Sequence, residues 1–259
     1  MYIDSHCHLE MEEYDADREQ VIGRSKKAGL RYMLTVATEE KYFAKALEII
    51  ESHEMIYGAL GIHPHNSEEF NEKLAERIRG YFSQSKLLAY GEIGLDFYRN
   101  YAPRDIQIKA FRAQIELAKE LSLPIIVHSR DAKEETLHIL AETDAAVNGA
   151  VMHCFSYDLG TAGKLLDMGF YLSIPGTITY RNASELREML QYTPLQRILP
   201  ETDAPFLTPE PHRGKRNEPA FVTLVVRKIA ETVNKPLEDV SSTLCNNFVE
   251  LFLRGRNHS

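Results

Sequence analysis

Short runs of apolar and β-branched residues alternate along this chain with longer amphipathic stretches. Runs of this kind are typical of buried parallel strands. They recur about every 20 to 40 residues, which is the length that a strand, a helix and their loops occupy. The pattern predicts eight strands, at Tyr2–His6, Tyr32–Ala37, Ile56–Ile62, Leu87–Glu92, Pro124–His128, Ala150–His153, Phe170–Ile174 and Arg197–Thr202.

The stretches between these runs have the period of α-helices. In one of them Phe43, Ala46, Leu47 and Ile50 fall at the i, i+3, i+4 and i+7 positions of a single helix face. The same reasoning predicts helices at Arg18–Ala28, Glu39–His53, Leu74–Phe82, Arg104–Leu121, Ala132–Ala141, Gly160–Met168, Ala183–Gln191, Ala220–Val233 and Leu237–Leu253.

Eight β-α alternations in one chain predict an α/β fold, a (β/α)₈ TIM barrel that forms a single domain over residues 1–259. An open doubly wound sheet is the alternative. It is disfavoured because no glycine-rich phosphate fingerprint follows the first strand.

Composition narrows the class of protein. The net charge of −8 argues against a protein that coats long duplex DNA. The three cysteines have no CxxC spacing, so neither a disulfide framework nor a zinc knuckle is expected. There is no membrane-spanning apolar stretch and no signal peptide, so we expect a cytoplasmic protein without a membrane partner. No heptad repeat indicates an oligomer, and we expect a monomer.

Metal-binding side chains occur at the predicted carboxyl ends of five strands, which converge on one face of a barrel. Histidines two residues apart on a strand share one side of it. A single histidine would be explained more simply as a buried imidazole bonded to a carbonyl group. Six ligands at five strand ends instead indicate one or two divalent metal ions. These residues are His6, His8, Glu92, His128, His153 and Asp203.

The chain resembles the TatD family of metal-dependent deoxyribonucleases, within the amidohydrolase-like barrels. The resemblance covers nearly the whole chain in family order, with one departure at Tyr157, where many relatives have glycine beside the substrate pocket. The matching segments are Asp4-Ser-His-Cys-His-Leu9, Gly61-Ile-His-Pro-His65, Gly91-Glu-Ile-Gly-Leu-Asp96, Val127-His-Ser-Arg-Asp131, His153-Cys-Phe-Ser156, Pro175-Gly-Thr-Ile-Thr-Tyr180, Glu201-Thr-Asp-Ala-Pro205 and Arg213-Gly-Lys-Arg-Asn-Glu-Pro219.

The resemblance implies two divalent ions (Mg, Mn or Zn) and a role for each ligand. His6 and His8 would hold one metal, His128 and His153 the second, and Glu92 would bridge them. Asp203 would bind the first metal and serve as general base for an activated water. The implied activity is 3′→5′ exonuclease cleavage of single-stranded or short DNA, with RNA as a further substrate.

The residues alone predict only metal-assisted hydrolysis, and two other functions stay open. The same site could cleave an amide or ester, such as an aminoacyl ester on tRNA or a cyclic amide. The protein could also be a non-catalytic metal-binding scaffold. That hypothesis is the weakest because the ligand set and the general base are complete.

Further residues are predicted at the rim of the site. His63 could contact a substrate phosphate or orient a metal ligand, whereas we expect His65 to be exposed to solvent. Arg130 could bind phosphate in bidentate fashion or pair with Asp131 or Glu134. Three sets of residues complete the rim. Arg213, Lys215 and Arg216 are predicted to contact the phosphate backbone, Asp96 and Glu201 to support the ligands, and Phe97, Tyr98 and Tyr101 to stack on bases or pack within their loop.

Overall fold

Eight parallel strands form one sheet in chain order in the computed structural model, which describes residues 1–254. The last five residues of the predicted domain lie outside the described residues. The strands are β1 (Tyr2–Cys7), β2 (Leu30–Ala37), β3 (Ile56–Leu60), β4 (Leu87–Asp96), β5 (Ile125–Arg130), β6 (Ala150–Met152), β7 (Tyr171–Ile174) and β8 (Ile198–Pro200).

Helices alternate with the strands, as the predicted (β/α)₈ barrel requires. They are α1 (Arg18–Lys27), α2 (Glu40–Ser52), α3 (Glu72–Tyr81), α4 (Arg104–Glu120), α5 (Lys133–Glu142), α6 (Leu159–Asp167), α7 (Ser184–Tyr192), α8 (Val222–Thr232) and α9 (Leu237–Phe248). The last predicted helix, Leu237–Leu253, is α-helical only to Phe248, because the backbone widens into a π-helical turn at Val249–Leu253.

The barrel closes where β1 meets the segment that follows β8. Asp203 N donates to His6 O over 2.9 Å, and His8 N donates to Ala204 O over 2.8 Å. These two bonds form a parallel bridge centred on Cys7 and Ala204. We call this junction the seam, and it brings both ends of the sheet into contact.

The buried side chain of Asp4 reinforces the seam. Asp4 accepts hydrogen bonds from Thr202 N at 2.9 Å and from Thr202 Oγ1 at 2.5 Å. It also accepts one from His6 N at 3.3 Å. Burial raises the pKa of Asp4 to about 8, although these hydrogen bonds act in the opposite direction. Asp4 therefore ties the first strand to the residues that precede Asp203.

The prediction that Glu92 ends the fourth strand is wrong, because β4 continues to Asp96. The ladder with β5 shifts between Gly91 and Ile93 and then resumes, with Gly94 opposite His128. In the sequence, Gly91, Glu92 and Gly94 are typical of the end of a strand. Here Gly94 instead allows the two backbones to approach closely, and β5 likewise runs past His128 to Arg130.

Apolar packing closes the end of the barrel at which the strands begin. The helix α9 packs against β1 and β8. Its Phe248 stacks on Tyr32 of β2, with 5.6 Å between ring centroids. The strand residues of this cluster include Ile3, Leu88 and Ile126, each near the start of its strand. The opposite end of the barrel is thus free to hold polar groups.

Across residues 1–254, no helix combines the length and the apolar character that a membrane crossing needs.

Gly94 provides a test of the β4–β5 register. A Cβ at Gly94 would lie 1.9 Å from His128 O, and its φ of +146° is unfavourable for other residues. Gly94→Ala should therefore lower the free energy of unfolding by about 3 kcal/mol, measured by urea denaturation. Gly23→Ala in α1 is the control, because its Cβ meets nothing within 4 Å; it should raise stability slightly. Equal midpoints for Gly94→Ala and the wild type would contradict this reading of the strand.

Candidate metal centre

The seam places three of the predicted ligands side by side. His6 Nε2 lies 3.3 Å from His8 Nε2, and His8 Nε2 lies 3.2 Å from Asp203 Oδ1. His6 Nε2 is 3.9 Å from the same oxygen. Asp203 has a φ of +54°, in the left-handed region that aspartate tolerates better than most residues. This conformation turns the chain back towards β1.

Glu92 lies between this group and a second set of histidines. Its Oε2 is 3.3 Å from His6 Nε2. Its Oε1 is 2.8 Å from His128 Nδ1 and 3.7 Å from His153 Nε2. The two oxygens of one buried carboxylate therefore face different imidazoles. We refer to His6, His8, His63, His128 and His153 together as the histidine cluster.

Hydrogen bonds at the far side of two rings orient their Nε2 atoms inward. His8 Nδ1 lies 2.7 Å from Val36 O, and a carbonyl oxygen can only accept, so Nδ1 carries the proton. His153 Nδ1 lies 2.8 Å from Glu201 Oε2 in the same way. In the neutral rings the Nε2 lone pairs then point into the cluster, which is the form that binds a metal.

His63 has the opposite arrangement. Its Nδ1 accepts a hydrogen bond from His65 N at 3.2 Å, so the neutral ring carries its proton on Nε2. That Nε2 lies 3.6 Å from Glu92 Oε1. Burial and the neighbouring His128 hold the pKa of His63 well below its usual value. His63 is therefore a neutral donor directed at the centre of the cluster.

The prediction that His65 is solvent-exposed is wrong. Its side chain is 28% exposed, and its Nε2 lies 2.9 Å from Asp96 Oδ2. Asp96 Oδ2 is also 3.3 Å from His128 Nε2, and Asp96 Oδ1 accepts from the backbone of Tyr98 and Arg99. Asp96 thus links two histidines to the loop after β4, as a supporting residue would.

The pKa values show strong coupling inside the cluster. Burial works to lower the pKa of His8, but Asp203 and Glu10 raise it well above its usual range. Burial also works to lower the pKa of His153, but Glu201 and Glu92 raise it to about 10. Burial should raise the pKa of Glu92, yet the adjacent imidazoles hold it well below its usual range. A divalent cation would replace the imidazole protons at this site, because it binds neutral imidazoles and ionised carboxylates.

The donors fit divalent metal ions in three overlapping groups. In each group the ligand atoms lie within 4.8 Å of one another. The groups are His6, His8 and Asp203; His6, His153 and Glu201; and His63, Glu92 and His128. In the third group, His63 suits hydrogen bonding better than metal binding, because its Nε2 carries the proton while Nδ1 accepts from His65 N. Because Glu201 Oε2 already faces His153 Nδ1 and accepts from Ser173 Oγ at 2.6 Å, its position suits support of a ligand.

Glu10 is a site residue that the sequence reasoning missed. Its side chain is buried, with Oε1 at 3.4 Å from His8 Nδ1 and Oε2 accepting from Thr35 Oγ1 at 2.5 Å. Within residues 1–254, Glu10 Oε1 and His6 Nδ1 are the buried side-chain polar atoms without a hydrogen bond. The available signal was its position two residues after His8, in the same alternating pattern.

Of the four basic side chains predicted to contact phosphate, three are exposed without an ion pair to a carboxylate among residues 1–254. Arg130 is exposed and lies over the ring of Tyr98, 4.0 Å from its centroid, and the described residues give it no ion pair with Asp131 or Glu134. Arg213 lies over Tyr180 at 4.4 Å, and Lys215 is exposed.

Arg216 is already engaged with the segment that precedes α1. Its guanidinium lies 2.7 Å from Asp17 Oδ2 and also donates to Glu13 O. It therefore anchors its loop, and its charge is compensated. This occupied position does not favour the predicted contact between Arg216 and the phosphate backbone.

Tyr157, the departure from the family pattern, is half-buried beside β5. Its hydroxyl lies 2.8 Å from Ser129 Oγ, which in turn lies 2.8 Å from Thr136 Oγ1. The phenol therefore fills space between Ser129 and α5 that a glycine would leave open.

Comparison with known proteins is consistent with this geometry. The family model described as TatD related DNase matches residues 3–253. The Bacillus subtilis (strain 168) protein YabD, named an uncharacterized metal-dependent hydrolase, is 41% identical over 252 residues, covering 97% of this chain and 99% of that protein. The 3'-5' ssDNA/RNA exonuclease TatD of Cronobacter sakazakii is 34% identical over 247 residues, covering 93% and 94%.

A solved structure shows the same fold. The crystal structure of YJJV, a TatD homolog from Escherichia coli K12, superposes with a TM-score of 0.92 at 32% identity. The match covers 97% of this chain and 98% of that one.

The support that Glu201 gives to His153 can be tested. Glu201→Gln should weaken metal binding by about 10- to 100-fold, because an amide cannot accept from all three donors that now meet the carboxylate. These donors are His153 Nδ1, Ser173 Oγ and the backbone N of Cys154. Competition between the protein and a chromogenic chelator for Zn²⁺ or Mn²⁺ measures this change. Glu142→Gln, which removes a surface carboxylate paired with Arg112, is the matched control. An unaltered affinity in a folded Glu201→Gln protein would exclude the supporting role.

Proposed function

The chain belongs to the TatD-related DNase family and is a metal-dependent hydrolase, and on this premise we propose that it is a 3′→5′ exonuclease on single-stranded or short DNA. The relative from Cronobacter sakazakii, named a 3'-5' ssDNA/RNA exonuclease, supports this substrate class and adds RNA to it. We include in the proposal a monomer in the reducing cytoplasm, a setting that suits the free thiols of Cys7, Cys154 and Cys245.

The position of Glu92 is the observation that carries the proposal. Its Oε2 faces His6, and its Oε1 faces His128 and His153. We infer that Glu92 would help to hold two divalent ions, Mg, Mn or Zn. His6, His8 and Asp203 would hold the first ion and His128 and His153 the second. Two such ions supply positive charge to a phosphodiester and lower the pKa of an attacking water.

Asp203 is the carboxylate best placed to move a proton. Its side chain is 14% exposed, against 4% for Glu92 and 0% for Glu201, so solvent and substrate reach it most easily. Burial acts to raise its pKa, but His8 and His153 hold that pKa below its usual value. An ionised Asp203 can accept the proton of the attacking water and return it to the leaving alkoxide.

His63 and Arg130 would position the phosphate. His63 presents an Nε2 proton towards the cluster without adding charge, and can donate to a phosphoryl oxygen. Arg130 extends from the end of β5 two residues after His128, and its planar guanidinium suits a phosphate with two oxygens exposed.

An oligonucleotide assay tests the proposed function. Metal-stripped protein is supplied with Mg²⁺, Mn²⁺ or Zn²⁺ and mixed with single-stranded oligonucleotides labelled at either end. We expect a 5′-label to show a ladder that shortens stepwise, and a 3′-label to be released as a mononucleotide. Turnover of an aminoacyl ester or a cyclic amide, with both oligonucleotides intact, would overturn the nuclease proposal and favour the other hydrolase.

Asp203→Asn tests the proton transfer. The amide keeps the size of the carboxylate but cannot take a proton, so kcat should fall by about 100- to 10,000-fold. Circular dichroism and a thermal melt establish that the variant is folded. Near-normal turnover would remove Asp203 from the role of general base.

The rim cations can be tested through salt dependence. Each phosphate contact with a single strand contributes about 0.7 to the slope of log affinity against log salt. Arg213→Ala combined with Lys215→Ala should therefore flatten that slope by about 1.4, measured by fluorescence anisotropy. Arg227→Ala, which removes an exposed arginine of α8, should leave the slope unchanged. The same slope in the double variant would show that the loop makes no phosphate contact.

A further inference from the structure

Exposed aromatic rings are concentrated around the histidine cluster. Within residues 1–254, four large aromatic side chains are exposed: Tyr98, Tyr101, Tyr192 and Phe206. Three of them lie in the loops after β4 and β8, at the end of the barrel that holds the cluster. Tyr192 is the last residue of α7 and lies at the other end, where β8 is about to begin.

Phe206 is held in place beside the predicted ligands. It follows Asp203 by three residues, and its N donates to Asp203 O over 2.8 Å. Its O accepts from the amide of Asn217, a fully buried side chain that also donates to Thr202 O. The ring is nevertheless 46% exposed, and its centroid lies 6.1 Å from that of His8.

Tyr101 borders the cluster from the other side. Its ring is 64% exposed and lies 4.7 Å from the ring of His65, centroid to centroid. The His65 ring is in turn 4.2 Å from that of His63. The order of strands places β4 across the barrel from β8. Tyr101 and Phe206 are therefore on opposite sides of the cluster.

Hydrogen bonds hold the backbone of Phe206 in place, so its ring stays at the surface. Each of these rings offers a flat apolar surface beside a histidine at the mouth of the barrel, Phe206 next to His8 and Tyr101 next to His65. Nucleobases stack on such surfaces without regard to sequence, because every base has a π-face. Tyr98 is not assigned this role, because Arg130 already lies over its ring.

We propose that Phe206 and Tyr101 receive the bases on either side of the bond that is cleaved, and so restrict the enzyme to unpaired strand ends. This inference rests on the proposed nuclease function and adds the residues that select the substrate. A paired end keeps its bases stacked and hydrogen-bonded within the duplex, and must be unpaired before either ring can be reached.

The test uses two single-stranded oligonucleotides that differ only in the 3′-terminal dinucleotide. One has normal bases there, and the other has abasic tetrahydrofuran residues. Wild-type kcat/KM should be roughly 5- to 100-fold higher for the first oligonucleotide, the range expected for lost base stacking. Phe206→Leu and Tyr101→Leu should each reduce this ratio, since leucine keeps an apolar side chain but has no π-face. Tyr192→Leu is the matched control and should keep the wild-type ratio.

Two results would overturn the proposal: equal rates of the wild type on both oligonucleotides, or wild-type ratios in both leucine variants. Equilibrium binding by fluorescence anisotropy separates this failure from that of the nuclease function. Base-dependent binding that both leucine variants weaken, without cleavage under any metal, would retain the stacking rings and reject the nuclease. Base-independent binding with normal cleavage would retain the nuclease and reject the rings.

Discussion

The hydrogen bonds between His6–His8 and Asp203–Ala204 join segments near the two ends of the chain. They close the barrel, and the same residues carry three of the proposed metal ligands. Closure and ligand geometry are therefore one constraint. A barrel that opened at the seam would separate Asp203 from His8, whatever happened to the other strands. The buried Asp4, bonded to both Thr202 and His6, holds this junction from within.

Glu92 connects the seam to the residues on the other side of the barrel. It reaches the seam histidine His6 with one oxygen and His128 with the other. The carboxylate can do this because β4 continues past it to Asp96, with Gly94 close against the backbone of β5. The site is therefore built on strands with matched register, and such elements hold ligand atoms more firmly than loops do.

Local charge reconciles an acidic protein with the proposed nucleic-acid substrate. The net charge of −8 counts the carboxylates of the cluster but not the ions they would hold. At the rim, Arg130 and Arg213 lie over tyrosine rings, where a phosphate can still reach their guanidinium groups. Arg216, in contrast, is neutralised by Asp17. The face around the cluster is thus more favourable to a phosphate backbone than the overall charge implies.

The sequence by itself determined the barrel and the residues of the cluster, and the tertiary structure decided how they are used. Periodicity identifies strands because burial and backbone geometry are local, and His6 and His8 share a face for the same reason. The length of β4 depends on its pairing with β5. The sequence alone therefore could not show that β4 continues past Glu92. The proton positions on His8 and His63 depend on Val36 O and His65 N. The partner of Arg216, the partial burial of His65 and the exposure of Phe206 likewise arise from contacts between distant segments, which no local pattern records.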